Sequence, residues 1–517
     1  MAVRNKDESK KPRIIRPFGN LECYEFHMLQ LKFLGSTIVN SRYAIPSSLA
    51  APEQHDHVVA WVEDAVAHVV LEHPAMRVDV VNADTRRPAW VAVDEVDFAH
   101  HVTWEDVDDT TVANYEEILR DKIEKRLDEP YANLAGRPHW RVLVLFVAGE
   151  HPYLDIVFDY SHGFSDGTGG KIFHETLLRA LNNMPAETEP GTESPNPVLT
   201  NRILKVPSSA RTLPPPAEKI AKFRVSAKFA ISTAWKELVL ASPSAAHAHW
   251  APIHATPYAT RFRTFDVEDR GLRNILTACR AHKTTVTGLL HALVLASMAS
   301  RLPPRDATAF VGSTALDLRR HLGQPAPGLD PKHTMADYVS QMPHEFDADL
   351  VSEVRAAAVS DDTTPSQTLV DLVWKCAARV RGEIQKRLDR GLKNDVVGLM
   401  RLVPDWRAQF RAEASKPRAY SFVVTNLGVL DGAATDVAAA AVVAADVAKD
   451  SRGSWAIEHA VFAISVEVCG AAFQVSPISV KDGALCMSCS WQDCVVDNKL
   501  AEGIVADLAR WLRFLGE

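Results

Sequence analysis

A chain of 517 residues, 47% hydrophobic and 24% charged, is long enough to bury the cores of two domains or more. Its net charge of −8 argues against a nucleic-acid partner, because neutralising phosphates requires Lys and Arg clustered on one face. No apolar run reaches the roughly 18–20 residues of a membrane span, and the stretch 433–447 is broken by Asp436 and Asp446.

The start of the chain is polar, with Lys10-Lys11-Pro12-Arg13 reading as a solvated tail and not as a signal peptide. Periodicity predicts amphipathic helices over 58–71 and 112–127. Strands are predicted over 76–81, 141–147 and 153–161, the last rich in β-branched and aromatic residues. Ile172, Phe173, Leu177, Leu178 and Leu181 fall at helical spacing and predict a helix over 169–181. These elements make an α+β first half, residues 1–184. From Asn182 to Pro197 the composition shifts to Pro, Glu, Thr and Ser, and Pro214-Pro215-Pro216 and the stretch 251–257 keep the region punctuated. Residues 185–261 therefore read as a crossover with one helix, over 219–240, carrying Ile220, Phe223, Phe229, Ile231 and Trp235 among lysines. A membrane-surface helix has this composition too, but both ends are tied into one chain, which favours a connector lying on the protein. The pattern restarts with a strand over 263–267 and helices over 271–281 and 286–300, opening a second half, residues 262–517. No short-period repeat is present.

The seven cysteines, an odd number dispersed through the chain, read as free thiols in a reducing compartment, so the expected location is cytoplasmic. Cys486 and Cys489 have zinc-ligand spacing, but they fall in a strand-like run, and Cys494 adds only a third sulfur. Buried small hydrophobes are the favoured reading. His247, His249 and His254 sit between Pro243 and Pro257 without a nearby carboxylate, and a connector is favoured there over a metal cluster. No metal is expected.

The segment between the strand 153–161 and the helix 169–181 carries the chemistry: Asp159-Tyr160-Ser161-His162-Gly163-Phe164-Ser165-Asp166-Gly167. Read as His-x-x-x-Asp-Gly it offers His162 as a general base at a strand end. Read as Gly-x-Ser-x-Gly it is a nucleophile elbow with Ser165 at its tip. The elbow requires an upstream glycine-rich oxyanion loop and a downstream acid and His; no His-Gly-Gly precedes it. Asp405, Asp431 and His459 follow, but with 65 acidic residues and 20 His in the chain that is no evidence. The His162 reading is favoured.

That reading resembles the superfamily of HXXXD, chloramphenicol acetyltransferase-like, CoA-dependent acyltransferases, and within it the fungal alcohol acetyltransferases, including trichothecene O-acetyltransferases. The resemblance runs through Arg16-Pro17-Phe18-Gly19-Asn20-Leu21-Glu22, Glu72-His73-Pro74-Ala75-Met76-Arg77 and Arg137-Pro138-His139-Trp140-Arg141 in the first half. In the second it runs through Thr287-Gly288-Leu289-Leu290-His291-Ala292, Asp317-Leu318-Arg319, Ser421-Phe422-Val423-Val424-Thr425-Asn426-Leu427-Gly428, Val480-Lys481-Asp482-Gly483 and Ser490-Trp491-Gln492. It implies two chloramphenicol acetyltransferase-like domains, mixed sheets flanked by helices, facing each other across an active-site channel. His162 would be the base at its centre, with acetyl-CoA as co-substrate, a small-molecule alcohol as acceptor, no bound cofactor and no acyl-enzyme. Asp166 would hold the loop by pairing with an Arg, for which Arg319 matches the motif and Arg320 is one residue away. Gly163 and Gly167 would provide φ > 0 or close approach of CoA, or be ordinary turn glycines. The oxyanion donor of plant relatives is absent; Thr425 and Asn426 stand in its place, either as donors or as turn caps before Gly428. A monomer is expected. A serine hydrolase using Ser165, and a condensation-type enzyme using a carrier-bound acyl donor, are the alternatives.

Overall fold

The computed structural model describes residues 13–107, 114–131, 136–183, 199–207, 213–239, 246–324, 329–358, 365–433 and 453–517. Asp436, Asp446, the Lys10–Pro12 tail and most of the proline-rich shift after Asn182 lie outside them. No helix among the described residues is long and apolar enough to cross a membrane.

Two mixed sheets organise the chain. The five-stranded sheet runs in the order Ala456–Ile464, Ser36–Ala44, Tyr153–Ser161, Trp140–Val147, Val102–Val107. Its middle strand, Tyr153–Ser161, is paired on both sides and buried over eight of its nine residues, which is why it reads as an almost unbroken apolar run. Two polar positions interrupt it, and both are compensated. Asp159 accepts hydrogen bonds from Arg126 (3.0 Å), Arg141 (2.9 Å) and the Tyr131 hydroxyl (3.1 Å), and Asp155 from Asn40 (2.8 Å) and the Tyr115 hydroxyl (2.6 Å). The helix Gly167–Asn183 returns over this sheet and buries Ile172, Phe173, Leu177, Leu178 and Leu181.

The second sheet has the order Thr260–Val267, Leu485–Gln492, Phe473–Val480, Phe422–Val424, Phe310–Asp317, Val339–Phe346, with Gly428–Leu430 also pairing Phe473–Val480. Helices Asp269–Ala281, Val286–Arg301, Gln367–Asp389 and Asn498–Gly516 accompany it. The strand Ala456–Ile464 joins the first sheet although it comes late in the chain, and it leans on the second: Ser490 donates to the Ile464 carbonyl at 3.0 Å, and Ser488 to that of Phe462. Each sheet has its own apolar core; a third, small cluster of Leu21, Ala217, Leu318, Leu322, Tyr338 and Val397 joins widely separated stretches of the chain.

Two expectations need correction. The single helix over 219–240 is two, Ala217–Ile220 and Ala227–Val239. Between them the chain is extended because the segment around Asn394 captures it: the Asn394 amide donates to the Arg224 carbonyl at 2.8 Å, and its side chain accepts from the Ser226 N–H at 2.9 Å. The strand expected over 76–81 begins only at Val78, since Pro74–Arg77 forms a 3₁₀ turn. Cys486 and Cys489, three apart in one strand, point to opposite faces. Cys486 packs into the first core and Cys489 into the second, each 1% exposed.

Candidate active site

Ser161 closes the central strand, and a turn from His162 to Asp166 leads into the helix Gly167–Asn183. The turn is pressed against the helix Asn20–Gln30: a Cβ placed on Gly163 would stand 3.3 Å from the Phe26 nitrogen. At Gly167 a Cβ would lie 2.7 Å from the Phe462 ring and 3.3 Å from Leu427. Neither glycine has a positive φ, so what the absent side chains permit is close approach of the protein to itself. Gly428 is the glycine of the quoted motifs that needs the left-handed region, with φ +78°.

Asp166 is 3% exposed and every polar contact it makes is structural. One oxygen accepts from the Gly169 N–H (3.1 Å) and caps the helix; the other accepts from Arg319 Nη1 (2.6 Å) and the Tyr338 N–H (2.9 Å). Arg319 follows the strand Phe310–Asp317 of the second sheet, so this ion pair ties the His162 turn to that sheet. Arg319 also donates to the carbonyls of Pro331, Thr334 and Ala336, and its guanidinium lies 5.3 Å from the Tyr338 ring centre. Burial works against its charge, but Asp166 and then Asp317 hold its pKa above the usual range. Arg320 is exposed, so the motif's ambiguity between the two arginines resolves to Arg319.

His162 is shielded at the strand end, its side chain 13% exposed. Burial pushes its pKa below the usual 6.5, a pull only partly opposed by Asp166 and by its own main chain. Nδ1 lies 3.7 Å from Glu25 Oε1, beyond hydrogen-bond distance. Glu25 and Asp337, both 5% exposed, complete a set in which these two carboxyls and His162 bring ligand-type atoms within 4.8 Å of one another. Sequence reasoning passed over both residues. For Glu25 the only signal was its placement three residues from Glu22 on an otherwise apolar helix face; Asp337 gave none, because a long-range fold brings it here.

Ser165 is fully buried and its hydroxyl has no hydrogen-bond partner. It fills the space above Gly169, where a Cβ would come within 1.7 Å of Ser165 Oγ. A nucleophile elbow presents its hydroxyl at the surface, bonded to a base. The structure supplies neither feature.

Thr425 and Asn426 lie just beyond the strand Phe422–Val424, beside Leu427 and hence near Gly167. The Asn426 side chain accepts from the Gly428 N–H (2.9 Å) and donates to Thr287 (3.1 Å), the arrangement of a turn cap tied to the helix Val286–Arg301. The Thr425 N–H is taken by the Val475 carbonyl at 2.8 Å. A second group of metal-ligand atoms, from Asp266, His459 and Cys486, is organised as an ion pair of 3.0 Å between Asp266 and His459, with the Cys486 thiol pushed well up by burial. Neither group includes His247, His249, His254, Cys489 or Cys494.

A family model for alcohol acetyltransferases matches residues 104–315, a span that includes the His162 turn. The chain is 29% identical over 471 residues to a probable alcohol acetyltransferase, FCK4, of Fusarium pseudograminearum, covering 88% of this chain and 86% of that protein. Among solved structures, the TRI3 trichothecene 15-O-acetyltransferase from Fusarium sporotrichioides superposes with a TM-score of 0.70 at 12% identity, over 97% of this chain and 94% of that one. The TRI101 protein of F. sporotrichioides, solved with coenzyme A and T-2, gives 0.55 at 13% identity, over 92% and 95%. The chain therefore shares the fold of these two solved proteins.

Proposed function

We propose that this chain, an O-acyltransferase of the alcohol acetyltransferase type, moves an acetyl group from acetyl-CoA to a hydroxyl of a small acceptor, with His162 as general base. The observation that carries the reading is a shielded imidazole at a strand end, set in a turn that Asp166 and Arg319 tie to the second sheet. An alcohol is a poor nucleophile at neutral pH, so a base must take its proton as the oxygen attacks the thioester carbonyl. A histidine with a lowered pKa is in the right protonation state for this without being cationic first.

The atoms balance in two steps. The acceptor O–H breaks, its proton passing to His162 while the O–C bond forms at the thioester carbonyl. Collapse of the tetrahedral intermediate breaks the C–S bond, and the departing thiolate of CoA takes the proton back. No acyl-enzyme is formed, in keeping with the burial of Ser165. Asp166 and Arg319 hold the turn in shape. Asn426 caps its own turn, and Thr425 remains the candidate oxyanion donor, adjacent to the segment that touches Gly167.

Thermal melting with acetyl-CoA, CoA and a simple acyl thioester lacking the nucleotide tests the donor without knowledge of the acceptor. A ligand binding the folded state at a hundred times its dissociation constant stabilises by about 2.7 kcal/mol. Stabilisation by acetyl-CoA and CoA alone is the expected result. No shift at millimolar CoA would sink the free-CoA reading and favour a carrier-bound donor.

A further inference from the structure

We propose that the crossover and residues 391–402 together form a docking surface for an anionic lipid bilayer. Lys219, Lys222, Arg224, Lys228, Lys393 and Arg401 would meet the headgroup phosphates, and Ile231, Val396 and Leu402 would enter the boundary between headgroups and acyl chains. This surface is independent of the acetyl transfer and of the role of His162.

Two distant stretches of chain are joined here. The extended residues 223–226 lie along residues 394–398: the Asn394 N–H donates to the Arg224 carbonyl at 2.8 Å, and the Asn394 side chain accepts from the Ser226 N–H at 2.9 Å. A Cβ on Gly398 would stand 2.7 Å from Val225 and 3.0 Å from Phe223, so no gap separates the two stretches. Ser226 Oγ accepts from the Phe229 N–H at 3.2 Å, which fixes the first turn of the helix Ala227–Val239 beside Asn394. The connector is thus seated on the protein through residues 223–226, while the helix that follows keeps one face in water. Lys228, Ile231 and Ser232 fall at i, i+3 and i+4, and all three are exposed.

Large apolar side chains left in water singly are ordinary, whereas a group of them marks a contact surface. Six are exposed among the described residues, and three of the six belong here: Ile231 at 68%, Val396 at 37% and Leu402 at 65%. Val396 lies between Asn394 and Gly398, and Leu402 closely follows the short helix Val397–Met400. Charge is concentrated in the same place. The chain carries 65 acidic residues against 57 Lys and Arg, yet 219–233 contains no acidic residue and 391–402 contains only Asp395. Asp395 is buried and committed inward, to Arg387, the Ser340 hydroxyl and the Val397 N–H. The six cations are exposed, and none has a carboxylate partner among the described residues. Cations unspent on the protein, with apolar side chains standing among them, are complementary to an anionic bilayer, which offers phosphates at its surface and hydrocarbon just beneath. A nucleic acid would satisfy the cations and leave Ile231, Val396 and Leu402 in water.

Flotation of the purified protein with vesicles of phosphatidylcholine alone, and of phosphatidylcholine with phosphatidylserine, reads the surface directly. The expected result is binding to the phosphatidylserine vesicles only, weakening as salt rises. Each cation near an anionic surface contributes roughly fivefold to partitioning, so Lys222→Ala/Lys228→Ala is expected to weaken binding about 25-fold. Ile231→Ser is expected to weaken it roughly tenfold at an unchanged salt dependence. The replaced side chains are exposed, so melting temperatures are expected to match that of the parent. Absence of binding to phosphatidylserine vesicles at low salt overturns the proposal. So does binding undiminished in the double variant, and so does equal binding of Ile231→Ser and the parent, because the contact would then be adsorption of charge without insertion. Tighter capture by soluble polyglutamate than by the vesicles would assign the surface to an acidic protein and overturn it equally.

Discussion

Asp166 and Asp337 are buried on neighbouring sides of the same turn and are treated in opposite ways. Asp166 receives a guanidinium, two main-chain N–H groups and a place at a helix start. Asp337 and its companion Glu25 receive neither a cation nor a donor at three of their four oxygens, and the fourth stands 3.7 Å from His162. A carboxylate whose every lone pair is spoken for can hold a shape but has nothing left for chemistry. One kept short of partners destabilises the resting protein and is free to respond when charge appears.

His162→Ala breaks both arrangements at their shared centre, and the expected loss of turnover is on the order of 10²–10⁴-fold with the fold intact, read from kcat/KM. Asp166→Ala attacks the satisfied carboxylate. It strands Arg319 in the interior, for which about 3–5 kcal/mol of stability is the expected cost, and activity falls with the loosened turn. Denaturant melts check it; a fully stable, inactive Asp166→Ala would mean that this residue takes part directly. Glu25→Gln attacks the unsatisfied one and should not lower stability at neutral pH. Its sign with pH follows from linkage: a carboxyl whose folded pKa is raised costs stability once pH climbs above the unfolded value of about 4.3, increasingly up to the folded pKa. The parent should therefore lose ground to Glu25→Gln as pH rises above about 4, a trend visible in melting temperatures. Ser165→Ala removes a buried hydroxyl that bonds to nothing, so activity within about threefold of the parent and stability unchanged or slightly higher are expected. A collapse of turnover there would restore the serine mechanism.

The first comparison also marks how far the sequence could be read. Elements with strong local periodicity emerged within a few residues: the helix expected over 169–181 is Gly167–Asn183, and the strand over 141–147 is Trp140–Val147. His162 and Asp166 stood out because strand, turn and helix are contiguous and the chemistry lies in the turn itself. The choice between Arg319 and Arg320 needed the geometry of the 3₁₀ turn Arg319–His321 that follows the strand, where successive side chains point in different directions. Glu25 and Asp337 were invisible for a different reason. Each belongs to a separate element, and their significance arises only from packing over more than a hundred residues of chain against His162. The helix expected over 219–240 failed because its propensity was overruled by capture of residues 224–226 beside Asn394, a tertiary effect no local window contains.

The strand Ala456–Ile464 pairs with Ser36–Ala44 and closes that flank of the first sheet. On the ribosome, Ser36–Ala44 appears early and its cover arrives only when Ile464 has been made. At about 5–20 residues per second the nascent chain spends on the order of tens of seconds with a bare, apolar β-edge, the kind of surface on which chains associate. The catalytic turn inherits the delay, because Phe462 on the late strand is the ring packed against Gly167. Competence for chemistry thus waits until that strand has been made, and no shortened chain ending before it carries the finished turn.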